Sequence, residues 1–409
     1  MSPLLVVVSI VLVDLLGFTI VMPLLPRFAK EYGFDPSQIG MLLAAYPLLQ
    51  LISGPVLGRL SDRYGRRPIL AISQAGTAVS FLILGLSRDF RIMLLARMLD
   101  GASGGNILVA QAYVADVTKP ENRSKSLGLI GAAFGLGFAF GPLLGGLLAS
   151  APVGREWQLR LPFLVAAGFS TIAWLLVLFK LPESLPADVR ARQKARTLSL
   201  RGLTDTIRLP GIGLLVVVGA LNTLAFAALE GTFSLFLDNR FQWSASQAAY
   251  AFAFLGIISA LVQGGLIRRL LPRFGEPRLM IFGLLVLSFG LASLALAKTF
   301  PLLILAGLLI GLGQGTSGPS IQGLLSRLTP ATEQGAVFGV LTSAQTFARM
   351  INYYFGNRLL SRGSADPYWE GSAIALVAVV IAFTAIGRIR GKFGSKTPES
   401  ADAIATESV

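Results

Sequence analysis

Five ionisable residues sit inside long apolar runs: Asp14, Arg97, Asp100, Glu230 and Arg349. A charge at the centre of a bilayer-spanning helix costs about 2.5–3.5 kcal/mol, so each is a candidate for function. Groups so placed can carry a proton or serve as counter-ion to a charged cargo. A carboxyl kept from water holds its proton to a higher pH than one in solution, which suits loading and release near neutrality. Asp14 and Glu230 have no basic residue within one helical turn on either side, so these two acids are expected either to exchange protons or, for one of them, to pair with Arg349 or Arg97. Arg97 and Asp100 are three residues apart on one face, and either neutralise one another or join the coupling. Asn222, Gln314, Gln322, Gln345 and Asn352 can bond a cargo molecule or a neighbouring helix. Phe18, Phe226, Phe233 and Phe236 add apolar surface.

The chemistry left out is equally informative. The chain has no cysteine and no histidine, which excludes disulfides, thiolate nucleophiles and histidine-based acid/base or metal sites. No Gly-rich loop ending in Lys and Ser/Thr is present, so coupling to ATP is not expected. No nucleophile–base pair points to an enzyme, and no cofactor is implied.

These residues need elements to hold them in lipid. Of 409 residues, 54% are hydrophobic and 14% charged, against about 25% charged in soluble domains. The net charge of +14 is spread between apolar runs with no basic patch, which argues against nucleic acid and for residues that set topology. Windows of about 20 apolar residues, enough to cross a bilayer, recur twelve times: 4–26, 39–59, 69–87, 91–114, 124–150, 160–181, 210–236, 245–267, 279–297, 301–325, 335–360 and 370–388. The first run, from Pro3, has no basic leader or small-residue cleavage site and reads as a retained helix. Arg59, Arg63, Arg66 and Arg67 crowd the turn between the second and third windows. Short loops rich in Lys and Arg stay on the cytoplasmic side, which places both termini inside.

The long polar segment 182–209 separates six windows from six. It divides the chain into an N-terminal bundle over 1–181, a cytoplasmic linker, a C-terminal bundle over 210–390 and a disordered tail over 391–409. The linker's basic run could lie as a helix on the membrane face or act as a plain tether. A repeat supports the division. Arg63-Tyr64-Gly65 before Pro68 is echoed by Arg273-Phe274-Gly275 before Pro277, with Pro272 standing where the first copy has Asp62. Thr118-Lys119-Pro120 is echoed by Thr329-Pro330. The fold class is therefore all-α and polytopic, with twelve helices in two pseudo-symmetric bundles, a known transporter plan.

Two stretches carry further mechanism. In the fifth window, Gly137, Gly141 and Gly145 fall on one face, with Pro142 and Gly146 beside them, and admit a close helix neighbour. Asp62 sits at a turn where it can pair with basic neighbours or face a helix N-terminus.

Gly58 to Arg67 resembles the signature loop of the major facilitator superfamily, Gly-x-Leu-x-Asp-Arg-x-Gly-Arg-Arg. Gly137 to Gly146 resembles that superfamily's antiporter motif, and Leu94 to Gly101 its fourth-helix motif. Asp14-Leu15-Leu16-Gly17 with Met22-Pro23 and Pro26 is similar to the first helix of drug/proton antiporters. Leu43–Leu70 and Asp238–Trp243 are similar to tetracycline/proton antiporters and their multidrug relatives. The resemblance implies the major facilitator fold and alternating access. It also implies a cytoplasmic gate built from Gly58, Asp62, Arg63, Gly65, Arg66 and Asp116, and proton coupling through Arg97. Ser80 and Leu287 stand where tetracycline pumps carry additional acids, and Glu230 is similar to the multidrug exporters.

The function expected is proton-coupled efflux of small lipophilic compounds by a monomer in a bacterial inner membrane. Its partners are the cargo, protons and the bilayer. Asp14, Glu230, Arg97 and Asp100 serve the proton, and Phe18, Asn222, Phe226, Gln314, Arg349 and Asn352 line the cavity. The alternative on the same fold is export of a metabolite, sugar or lipid-like anion, with Arg97 and Arg349 as counter-ions.

Overall fold

The computed structural model describes residues 2–119, 123–185, 211–329, 334–362 and 365–393. The expected linker beyond residue 185 and the tail beyond 393 lie outside them. All regular structure among the described residues is helical. The helices are α1 (Pro3–Val21), α2 (Leu25–Glu31), α3 (Pro36–Tyr64), α4 (Arg66–Leu86), α5 (Phe90–Ser103), α6 (Asn106–Val117), α7 (Arg123–Ala149) and α8 (Arg155–Lys180). The second half supplies α9 (Ile212–Phe241), α10 (Ala245–Leu261), α11 (Ile267–Leu296), α12 (Phe300–Leu328), α13 (Gln334–Leu360) and α14 (Asp366–Phe393), with a short π-helical turn, Val262–Leu266, after α10.

Local chemistry sets the starts and stops. Asp35 accepts from the backbone of Ser37 and Gln38 while Gln38 reaches back to Asp35, closing a capping box before α3. Ser244 and Gln247 do the same before α10. Gly65, at φ 107°, ends α3 and starts α4, and Gly275, at φ 72°, breaks α11 at the corresponding turn of the second half. Both conformations favour glycine, which has no Cβ to clash.

Ten helical stretches among the described residues are long and apolar enough to cross a membrane by length and composition, and the twelve expected windows all fall on helices. The eighth and ninth windows fall together in one stretch, Ala245–Leu296, of 52 residues. At about 1.5 Å per residue it is about 78 Å long, enough for two crossings once Gly275 breaks it. The eleventh window is α13, too polar to qualify by composition. The fourth window is also divided. Gly104 and Gly105 separate α5 from α6 midway along the run.

Large apolar side chains stay outside, among them Ile72, Leu95, Phe179, Leu261, Phe289 and Val380, each more than three-fifths exposed. Such a surface suits lipid. Within the first half α1 packs on α6, α7 and α8, and α3 on α5. In the second half α9 packs on α13 and α14, and α11 on α12. The halves meet through α3 against α13 and α7 against α10.

Closure is uneven along the axis. At the end away from the arginine turn, one core unites Val21, Phe28, Leu42 and Phe163 with Ala227, Leu235, Tyr353 and Leu360 of the other half. At the arginine-turn end, one core contains only first-half residues and another only second-half residues. A Cβ on Gly40 would meet the carbonyls of Tyr353 and Tyr354, and one on Gly146 the ring of Tyr250. A Cβ on Gly58, Gly128, Gly131, Gly264, Gly265 or Gly335 would meet nothing within 4 Å. The halves are zipped at one end and parted at the arginine-turn end.

Candidate functional site

Asp14 lies in the middle of α1 and is 6% exposed. Its Oδ2 accepts from Asn106 Nδ2 at 2.6 Å, and its Oδ1 has no partner. Asn106 is the first residue of α6, so the break at Gly104–Gly105 aims the N-terminus of a half-helix at this carboxylate. Helix N-termini attract negative charge. Gln74 of α4 faces Asp14 as well, its Oε1 also buried and without a partner. Arg97 is spent on Asp100, with Nη1 to Oδ2 at 2.6 Å, and its Nε donates to the Leu42 carbonyl at 3.3 Å. Its guanidinium lies over the Tyr46 ring, 4.8 Å from the centroid. That ring packs on Phe18 at 5.4 Å, and Tyr46 feels the charges of Asp14, Asp100, Arg97 and Arg349 together.

Across the bundle, Glu230 has a cation after all. Arg349 of α13 approaches its Oε2 at 2.9 Å through Nε, and Tyr353, one turn further on, donates to the same oxygen at 3.1 Å. The two side chains differ sharply in environment: Glu230 is 3% exposed and Arg349 37%. The Arg349 side chain thus holds the acid through Nε while remaining partly exposed. The other expected cavity residues divide. Asn222 accepts from Ser317 Oγ at 2.9 Å and donates to Gln314 at 3.3 Å. Asn352 donates to the Leu224 carbonyl at 2.9 Å and is buried between α9 and α13, so it fastens helices. Phe226 packs half-buried on the second-half core, which includes Phe233 and Phe236.

At the arginine turn, Arg66 is the hub. It reaches Asp62 at 2.6 Å, Asp116 at 3.0 Å and Ser61 Oγ at 2.6 Å. Glu183 accepts from the backbone N–H of Arg66 at 2.9 Å and of Arg67 at 3.2 Å, capping α4. Arg63 takes no part and lies over the Tyr64 ring. The second half carries the counterpart with charges exchanged. Aligning Gly275 with Gly65 sets Glu276 at the place of Arg66, and aligning Thr329 with Thr118 sets Arg327 at the place of Asp116. Arg327 Nε lies 2.7 Å from Glu276 Oε1.

The glycine face serves α1. A Cβ on Gly137 would meet Leu15, on Gly141 Thr19, and on Gly145 the Ile20 carbonyl. Thr19 Oγ1 also donates to the Gly137 carbonyl at 2.8 Å. Pro142 is buried in the same helix, and of these four glycines Gly146 is the one whose added Cβ would meet the other half. At the zipped end Asp238 of α9 binds Arg27 and Lys30 of α2, the latter at 2.6 Å. Lys30 also donates to Asn239 at 2.9 Å.

Sequence reading did not single out Gln74, Asn106, Tyr46, Tyr353, Glu183 or the Glu276–Arg327 pair. Two signals were available: Gly104-Gly105-Asn106 is turn chemistry inside an apolar run, and the repeat alignment exposes the exchanged pair.

Stretches long and apolar enough to cross a membrane, charges held in the interior and halves parted at one end are the features of a multi-pass membrane transporter. The chain belongs to the Major Facilitator Superfamily, whose model matches residues 7–352 and 266–403. The class C tetracycline resistance protein of Escherichia coli is 33% identical over 358 residues, covering 84% of this chain and 85% of that protein. The Bos taurus major facilitator superfamily domain-containing protein 10 is 30% identical over 412 residues, covering 88% and 86%. Among solved structures, the human organic anion transporter MFSD10 superposes with a TM-score of 0.72 at 28% identity, covering 93% of this chain and 98% of that one.

Proposed function

We propose that the chain exports small lipophilic compounds in exchange for protons, by alternating access in a bacterial cytoplasmic membrane. The arginine-turn end and both termini then lie in the cytoplasm, so the structure is open inward. The observation that carries this reading is Asp14, a buried acid with an amide for a neighbour and no ion-pair partner among the described residues. A proton is the simplest neutralising partner for such a group. Arg97 and Asp100 serve as the fixed pair beside it, and the Arg66 hub braces the cytoplasmic end. The driving force is about 2.3 kcal/mol per charge per 100 mV, plus about 1.4 kcal/mol per pH unit. The likeness to the tetracycline resistance proteins supports this reading.

The test is a pH-gradient screen in proteoliposomes with chemically diverse compounds, tetracycline included. Wild type is expected to move at least one compound against its gradient, and Asp14→Asn to abolish that movement while the protein remains folded. Undiminished gradient-driven export by Asp14→Asn removes the assignment.

A second reading rests on a different observation, the partial exposure of Arg349. An anionic cargo fits there, with Arg97 as a second counter-ion, and the likeness to the organic anion transporter MFSD10 favours including organic anions in the same screen.

A further inference from the structure

The fourth expected window is broken at its middle, and α3 braces the break at several points. Gly101, Gly104 and Gly105 lie at the joint between α5 and α6. A Cβ on Gly101 would meet the Tyr46 carbonyl, and one on Gly105 the Leu57 side chain at 2.7 Å, so the joint presses directly on α3. Breaking a helix strands carbonyls on one side and N–H groups on the other. Ser53 Oγ donates to the Gly101 carbonyl at 2.7 Å. Gln50 Nε2 donates to the Gly104 carbonyl at 3.1 Å and to the Tyr46 hydroxyl at 2.9 Å, which uses both amide hydrogens.

The next residue past the joint is Asn106. Its Oδ1 accepts from the Ile107 N–H at 2.8 Å, and its Nδ2 donates to Asp14 Oδ2 at 2.6 Å. Gly105 has no side chain with which to cap α6. The position of the donor to Asp14 thus depends on where α6 starts, and α3 fixes that start. Asp14 also lies near Gln74 of α4, Tyr46 of α3 and Asp100 of α5. The ionisable residues of α6, α7 and α8, which pack on α1, are near helix ends.

We propose that Gln50 is a positioning residue for the proton-exchanging acid: with Ser53 it fixes the break between α5 and α6 and so holds Asn106 against the ionised Asp14. The same helix meets α13 of the other half, which sets the brace between the junction of the halves and the acid. This inference rests on the proton-exchange reading and adds to it the device that positions the acid's donor.

The test needs no known cargo. Infrared difference titration of the full-length purified protein, with Asp14→Asn as reference, isolates the Asp14 carboxyl C=O band. Asn106 donates to the charged form, so Asn106→Leu is expected to raise the midpoint by about one pH unit. Gln50→Met keeps the length of the side chain, removes both donors and should raise the midpoint by about half a unit. In the Asn106→Leu background the same substitution should add nothing, a result that general loosening of the fold would not give. Ser53→Ala, a smaller change at the same joint, should act in the same sense and lose its effect in the same background, which decides the matter where Gln50→Met does not fold. A midpoint that ignores these substitutions in folded protein, or a rise that persists in Asn106→Leu, overturns the role of the brace alone. Absence of any titrating Asp14 band in the unsubstituted protein overturns the proton-exchange reading as well.

Discussion

The zipped end hangs on few charges, and Asp238 is the one to remove. Its side chain is 13% exposed and binds both Arg27 and Lys30 across the junction of the halves. Asn at this position preserves the shape and one acceptor, so the loss is largely Coulombic. Exposed pairs contribute about 0.2–1 kcal/mol, and removing one partner of a buried pair costs about 3–5 kcal/mol. Asp238 lies between these limits, with Lys30 well exposed and Arg27 retaining Glu31 at 3.5 Å. A loss of about 1–3 kcal/mol follows, specific to the state in which this end is closed. That is roughly a 5- to 150-fold change in the balance of the two states. The chain contains no cysteine, so a single introduced thiol reports accessibility without background. Leu43 is 3% exposed and lies against Gly231 of the other half. Leu43→Cys is expected to react with an impermeant maleimide faster in Asp238→Asn by about that factor, and high salt should reproduce part of the gain. Glu156→Gln breaks the exposed pair with Arg88 inside one half at the same end and should leave the rate unchanged. Equal labelling with and without Asp238→Asn would show that these charges do not hold the end shut.

Three further outcomes can be measured on purified protein. Gly141→Ala drives a Cβ to 1.9 Å from Thr19 Oγ1 and is expected to destabilise by about 1–3 kcal/mol. Gly135→Ala meets nothing and should be neutral or stabilising by up to about 1 kcal/mol; thermal melts compare the two. Arg349→Gln leaves Glu230, 3% exposed, without its cation and should destabilise by about 3 kcal/mol, and adding Glu230→Gln should recover part of that loss; a double variant no more stable than the single would refute the pairing. Arg66→Gln takes the cation from Asp62 and Asp116, which are 40% and 22% exposed, for a loss of about 1–3 kcal/mol, between the exposed and buried limits. Glu276→Gln, whose partner Arg327 is 69% exposed and can turn to water, should lose under about 1 kcal/mol.

What the sequence made legible is what depends on neighbours along the chain. Apolar run length is such a property, because every turn of a lipid-facing helix must tolerate the bilayer, and each of the twelve windows falls on a helix. The arginine turn and its echo at Gly275 are also local, since only a few residues are needed to reverse the chain. Helix α13, the eleventh window, is the weakest of them by composition, because it carries Gln345, Arg349, Asn352 and Asn357. It packs on α3, α9 and α14, so much of its surface meets protein and escapes the demand that lipid imposes. The same shielding hid the chemistry. Glu230 has no base within a turn, and that statement about its own helix remains true. Its cation comes from 119 residues away, a separation to which helical periodicity is blind. Asp14 shows the opposite outcome: folding brings it Asn106 from 92 residues away and still brings no cation. Two acids equally isolated along the chain thus become chemically distinct only in three dimensions. One is locked into an ion pair, and the other has no cation among the described residues around it.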